Sequence, residues 1–292
     1  MAASQGAAAG RRGAVRKGLY LLPSVFTAAN IGMGYFAVMG ALRGFQLLDS
    51  GAEGDLARAA AHFDNSARAI GWAILFDALD GRIARLTRTT TEIGIQLDSL
   101  ADVLTFGITP AVLVYAWGYG AAFPDGSQAH KLGWFVSFMF LICGVYRLAR
   151  FNVQATRPRP LAEGTAKVDK KNFVGLPIPA AAGLIAAVVH FSPAPLVARG
   201  GEEAALLGAL LMGLVALLGG LMVSSFRYSS FKSVGGAGRG AARMIIMVAA
   251  AGMLVWLYSR YFLLALVTAY VMHGVLSRLL SFGRGRQSAQ QG

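Results

Sequence analysis

Residues 77–102 read DALDGRIARLTRTTTEIGIQLDSLAD, and this stretch decides what kind of fold the chain must have. On an α-helix at about 100° per residue, with Asp77 at zero, Asp80 falls at about −60° and Gly81 at about 40°. Ala84 then falls at about −20° and Arg85 at about 80°. Two acids, two small residues and one arginine therefore share a face. Gly94, Asp98 and Asp102 follow at i, i+4 and i+8, which is again one helical face. The polar run from Thr87 to Glu92 separates the two patterns and predicts a turn. The expectation is two antiparallel helices that confront their acidic faces.

The flanking sequence is apolar. Of 292 residues, 55% are hydrophobic and only 14% are charged. A soluble domain carries about 25% charged residues. A chain this poor in charge cannot cover a water-facing surface, so lipid is its solvent. A spanning helix takes roughly 20 mainly apolar residues. Candidate spans fall at 20–42, 68–86, 98–120, 132–152, 174–191, 204–226, 243–258 and 261–280. The fold expected is all-α, a polytopic helical membrane protein of about eight transmembrane helices. Residues 1–18 read as a basic, disordered segment, 19–282 as one membrane domain and 283–292 as a disordered tail. The 20–42 stretch is too long for the apolar core of a signal peptide and is read as a retained span. Pro177 and Pro179 either kink the fifth span or mark its beginning.

Cytoplasmic segments of membrane proteins are enriched in Lys and Arg. With the N-terminus inside, this parse puts 21 of the 27 Lys and Arg residues on the cytoplasmic side. Both termini are thus expected in the cytoplasm, and the acids near the inner face. The net charge of +13 is distributed beside apolar spans and forms no continuous stripe, which argues against nucleic acid as a partner. Cys143 lies alone in an apolar run and reads as a small core residue. His62, His130, His190 and His273 lie outside the acidic stretch and read as structural or interfacial.

A central Asp costs about 2.5–3.5 kcal/mol on insertion scales, so four near one membrane face call for a function. Carboxylates that face each other stay ionised together only with cations between them. Oxygen ligands without His or Cys select Mg²⁺, Mn²⁺ or Ca²⁺ over zinc. Four aspartates suit a paired-metal site acting on phosphate oxygens. Gly81 and Ala84 leave room for a nucleotide, and Arg85 supplies a permanent charge for a diphosphate. Two other readings stand beside this one. The acids could pair with Arg82, Arg85 and Arg88 at the surface, or line a cation or proton path. A path should cross the bilayer, whereas these acids cluster at one end.

The spacing D-x-x-D-G-x-x-A-R-x8-G-x-x-x-D-x-x-x-D, matched without a departure over residues 77–102, resembles the signature of the CDP-alcohol phosphatidyltransferase family. The resemblance implies a core of six helices, commonly in a homodimer, and two divalent metals, Mg²⁺ or Mn²⁺ with Ca²⁺ possible. It implies that Asp77, Asp80, Asp98 and Asp102 bind those metals, with Asp102 also the base that deprotonates the incoming alcohol. Gly81, Ala84, Arg85 and Gly94 correspond to the CDP-binding positions.

Further stretches, YRLARFN (146–152), NFVGLPIP (172–179), SSFRYSSFK (224–232), LPSVFTAAN (22–30) and FGITP (106–110), are similar to a membrane-embedded bacterial branch of that family. This likeness implies CDP-diacylglycerol as donor, L-serine as acceptor, phosphatidylserine and CMP as products, and a prokaryotic inner membrane. Glycerol 3-phosphate, inositol or inositol phosphate remain alternative acceptors. Arg147, Arg150, Arg227 and Lys232 are the basic residues expected at the level of the aspartates, as ligands for the acceptor or the lipid phosphate.

Overall fold

The computed structural model describes residues 2–50, 52, 54–87, 92–156, 172–224, 227–229, 252–255 and 257–276. Helix α1 spans Ala2–Asp49 and α2 spans Asp55–Thr87. The next rod is composite: α3 (Glu92–Asp102), a π-helical turn (Val103–Ile108), α4 (Thr109–Val114), a second π-helical turn (Tyr115–Tyr119) and α5 (Gly120–Ala122). Then come α6 (Gln128–Thr156), strand β1 (Asn172–Val174), α7 (Ile178–Phe191), a 3₁₀ turn (Leu196–Arg199), α8 (Gly201–Val223) and β2 (Arg227–Ser229). The last helix, α9, covers Leu257–Leu276.

Among the described residues six helical segments are long and apolar enough to cross a membrane: Val25–Asp49, Glu92–Ala122, Gln128–Val153, Ile178–Arg199, Gly201–Val223 and Leu257–Leu276. They coincide with six of the eight expected spans. The 68–86 candidate lies within α2, a continuous helix whose charged residues keep it out of that set. The 243–258 candidate and the 283–292 tail fall largely or wholly outside the described residues. Helix α1 begins at Ala2, inside the segment expected to be disordered. The alanines there are the strongest helix formers.

The surface chemistry fits lipid. On α8, Leu206, Leu210 and Leu217 point outward and are exposed, while Leu211, Val215, Leu218 and Met222 are buried. A helix apolar on both sides is at home in a hydrophobic solvent. Several polar side chains are turned inward, among them Thr27, Asn30, Asp64, Asp80, Thr105, Arg147 and His190.

Packing brings the acidic helices together from two directions. Helix α1 runs along α2, and the π-helical turn after Asp102 packs against α1 and α6. The α1 crossing is close because Gly34 has no side chain there: a Cβ would stand 2.6 Å from Thr105 Oγ1. The Thr105 and Thr109 hydroxyls donate to the carbonyls of Asn30 and Gly34, each at 3.3 Å.

The fifth expected span starts later than its apolar run. Residues 172–174 pair as a short antiparallel ladder with 227–229, Phe173 opposite Tyr228. The chain then turns through Gly175 at φ +83° before α7 begins with Pro177 as its N-cap residue. The prolines therefore mark the helix start, where a missing N–H costs nothing. The Leu176 N–H donates to the Leu221 carbonyl at 3.0 Å, which binds this turn to the end of α8.

Candidate active site

Helix α2 supplies Asp77 and Asp80, and α3 supplies Asp98 and Asp102. Asp80 is buried, and its Oδ2 accepts a hydrogen bond of 2.5 Å from the Thr27 hydroxyl of α1. Its other oxygen, Oδ1, is buried without a partner among the described residues, and so is Asp102 Oδ1. The four carboxylates lie within electrostatic reach of one another across the two helices. Asp77 senses Asp80 and Asp98, Asp98 senses Asp80, and Asp102 senses both Asp77 and Asp98.

Asp102 ends α3, and the π-helical turn starts at the next residue. Such a turn widens the helix locally and re-aims the side chains around it. Helix α3 is also fixed from α6: Asn152 Nδ2 donates to Ser99 Oγ at 2.9 Å, beside Asp98. Gly81 and Ala84 are half-buried on α2, and Gly94 is exposed on α3. Arg85 belongs to α2 and Arg227 to β2, but their side chains, like all of Lys232, lie outside the described residues.

The two arginines of α6 part company. Arg147 is buried within electrostatic reach of Asp102, with its Nε unpartnered among the described residues. Tyr270 of α9 is also within electrostatic reach of Arg147. Arg150 instead donates from Nη1 to the Val223 carbonyl at 3.0 Å and from Nη2 to the Ser224 carbonyl at 3.4 Å. It thereby caps the C-terminal end of α8, where carbonyls lack helical partners and the helix dipole favours a cation.

Among the described residues no group of three or more His, Cys, Asp or Glu converges tightly enough to hold a metal ion. The donor chemistry nevertheless fits divalent cations. Two buried carboxylate oxygens lack partners, and buried groups of that kind are strongly disfavoured unless something pairs them. The crowding of four acids leaves a cation as the natural pairing group.

Histidine takes no part here. His190 is buried and paired with Asp64 and Ser259, while His130 meets the Tyr115 hydroxyl at 2.9 Å. Two residues that contact the site escaped sequence reasoning. Thr27 and Asn152 lie in quoted stretches, but only three-dimensional contact reveals their partners.

A family model for CDP-alcohol phosphatidyltransferases matches residues 20–219, and the chain belongs to that family. It is 35% identical over 216 residues to a CDP-diacylglycerol–serine O-phosphatidyltransferase of Helicobacter pylori (strain J99), covering 74% of this chain and 75% of the relative. A protein of the same name from Methanocaldococcus jannaschii is 31% identical over 169 residues, 57% of this chain and 65% of its own length. One from Saccharomyces cerevisiae is 36% identical over 116 residues, 39% of this chain and 37% of the relative.

Proposed function

We propose that this integral membrane protein transfers the phosphatidyl group of CDP-diacylglycerol to the hydroxyl of L-serine, giving phosphatidylserine and CMP. The observation that carries the reading is the meeting of Asp77 and Asp80 of α2 with Asp98 and Asp102 of α3 beside the buried Arg147. Family membership and the serine-using relatives support the choice of donor and acceptor. They favour group transfer over an ion path for the same acids.

Asp77, Asp80, Asp98 and Asp102 would hold two divalent cations, Mg²⁺ or Mn²⁺, with Ca²⁺ fitting the same oxygens. Bound there, the cations would supply neutralisation of the diphosphate and polarisation of the phosphorus under attack. The chain's own residues do the rest. Gly81 and Ala84 on α2 and Gly94 on α3 let the cytidine nucleotide lie close to the helices, and Arg85 meets the diphosphate. Arg147 binds the serine carboxylate and points the hydroxyl toward Asp102. Asp102 accepts the hydroxyl proton at Oδ1 as the serine oxygen bonds to the lipid-side phosphorus. The phosphorus–oxygen bond to CMP breaks, and CMP leaves with that electron pair. Arg150 supports Arg147 from the next helical turn by fixing α6 to α8.

The site faces the cytoplasm, in a chain of eight spans with both termini inside. The 21-to-6 split of basic residues supports this orientation. In a prokaryotic cell the inner membrane is its place, and a second copy of the chain is its partner. An acceptor panel tests the function. In detergent with Mg²⁺ or Mn²⁺, serine should drive CMP release well above glycerol 3-phosphate, inositol or inositol phosphate. Preference for another alcohol would replace serine, and release with none would end the proposal.

A further inference from the structure

Helices α1 and α2 run antiparallel and keep one register at three points along their contact. A Cβ on Gly44 would meet the Phe63 ring, one on Gly40 would meet Ser66 Oγ, and the Thr27 hydroxyl meets Asp80 Oδ2. In that register Asn30, one turn on from Thr27, lies opposite Asp77, one turn back from Asp80. Three residues advance about 4.5 Å and stop about 60° short of a full turn, so Thr27 and Asn30 share a face. A second contact places Asn30 from the other side. Its backbone carbonyl accepts the Thr105 hydroxyl at 3.3 Å, and Thr105 lies three residues past Asp102. Asn30 therefore stands at the Asp77 and Asp102 end of the acid cluster.

Its side chain has no other task there. Asn30 is 1% exposed, and its Oδ1 is buried without a partner among the described residues. A buried oxygen left unpaired bears its full desolvation penalty, which a ligand's N–H would remove. The direction of the site says which ligand. Gly81, Ala84 and Arg85 follow Asp80 along α2, so the nucleotide end of the donor lies beyond Asp80 and away from Asn30. The cytosine amine and ribose hydroxyls belong to that end. The diacylglycerol end of the donor carries no N–H or O–H group. The hydrogen-bond donor that must reach Asn30 is then the ammonium of the acceptor.

We propose that Asn30 is a substrate-binding residue that reads the serine ammonium, its Oδ1 accepting one N–H while Asp102 faces the hydroxyl and Arg147 the carboxylate. This rests on the function proposed above. The π-helical turn after Asp102 packs against both α1 and α6, so the ammonium and carboxylate contacts come from helices on its two flanks. Glycerol 3-phosphate and inositol carry no ammonium, and the contact favours serine over both.

Steady-state kinetics on the full chain in detergent test it, using serine, CDP-diacylglycerol and 3-hydroxypropionate, which is serine without its amine. With the wild type, 3-hydroxypropionate should bind at least about ten-fold more weakly than serine, the size of one hydrogen bond to a charged group. Equal affinity overturns the proposal without any variant. Asn30→Leu, which is close to isosteric, and Asn30→Ala should each raise the serine KM by the same factor. The Ki of 3-hydroxypropionate and the CDP-diacylglycerol KM should stay little changed, so the preference for the amine disappears. An equal loss for both hydroxy acids, or a raised Mn²⁺ requirement with the preference intact, overturns the proposal. A wild-type protein that makes no phosphatidylserine contradicts the functional reading instead, so the two failures are distinguishable.

Discussion

Thr27 and Asp80 stand 53 residues apart in sequence and meet across α1 and α2 through a buried hydrogen bond of 2.5 Å. The hydroxyl occupies one carboxylate oxygen and leaves the other unpartnered and facing inward. The first span thereby orients an acid of the site, although it contributes no acid itself. Removing the donor with Thr27→Val should cost about 1.5–3 kcal/mol, the range for a hydrogen bond to a charged group. Borne by the transition state, that corresponds to a drop of about 10- to 160-fold in kcat/KM, and Thr27→Ser should recover most of it. CMP release by the purified variants measures both.

The four aspartates differ in their expected defects. Asp102→Asn removes the proton acceptor as well as a cation ligand, so kcat should fall by about 10²–10⁴-fold, the usual worth of a general base, and stay low at saturating Mn²⁺. Asp77→Asn, Asp80→Asn and Asp98→Asn should also fall steeply, but part of their loss should be recovered by raising Mn²⁺. Titrating the cation against initial rate separates the two classes.

Chelation should abolish turnover without unfolding the helices. After EDTA treatment, Mg²⁺ or Mn²⁺ should restore CMP release, because the donors are carboxylate oxygens alone. Zn²⁺ should restore it poorly. Circular dichroism recorded alongside checks that the helical content is unchanged by the chelator.

Gly175 tests the architecture that holds Arg150 and the end of α8. Its φ of +83° favours glycine, and a Cβ there would overlap the Met222 carbonyl and come within 2.9 Å of Arg150 Nη2. Gly175→Ala should destabilise by at least about 1–3 kcal/mol, the usual cost of such backbone strain. A lowered thermal midpoint in detergent, with activity lost in parallel, is the expected result.

The aspartates were legible because helical periodicity is a local rule: Asp77 with Asp80, and Asp98 with Asp102, fall in phase whatever surrounds them. Six spans were legible for the same reason, since length and hydropathy are local properties. The 172–174 pairing was not, because a three-residue ladder depends on a partner more than fifty residues away. The divergence of Arg147 and Arg150 was equally hidden. Three positions on a helix place both arginines near one face, and only the end of α8 decides that Arg150 is drawn to carbonyls.

The central claim is that the paired acids of α2 and α3 transfer a lipid phosphoryl group to serine. Its most direct test is the stoichiometry of labelled phosphatidylserine and CMP formed by the purified full chain from CDP-diacylglycerol and serine. One-to-one formation that depends on Mg²⁺ or Mn²⁺ and disappears in Asp98→Asn is the expected result. Phosphatidylserine formed undiminished by Asp98→Asn, or no CMP with any acceptor or cation, would contradict it.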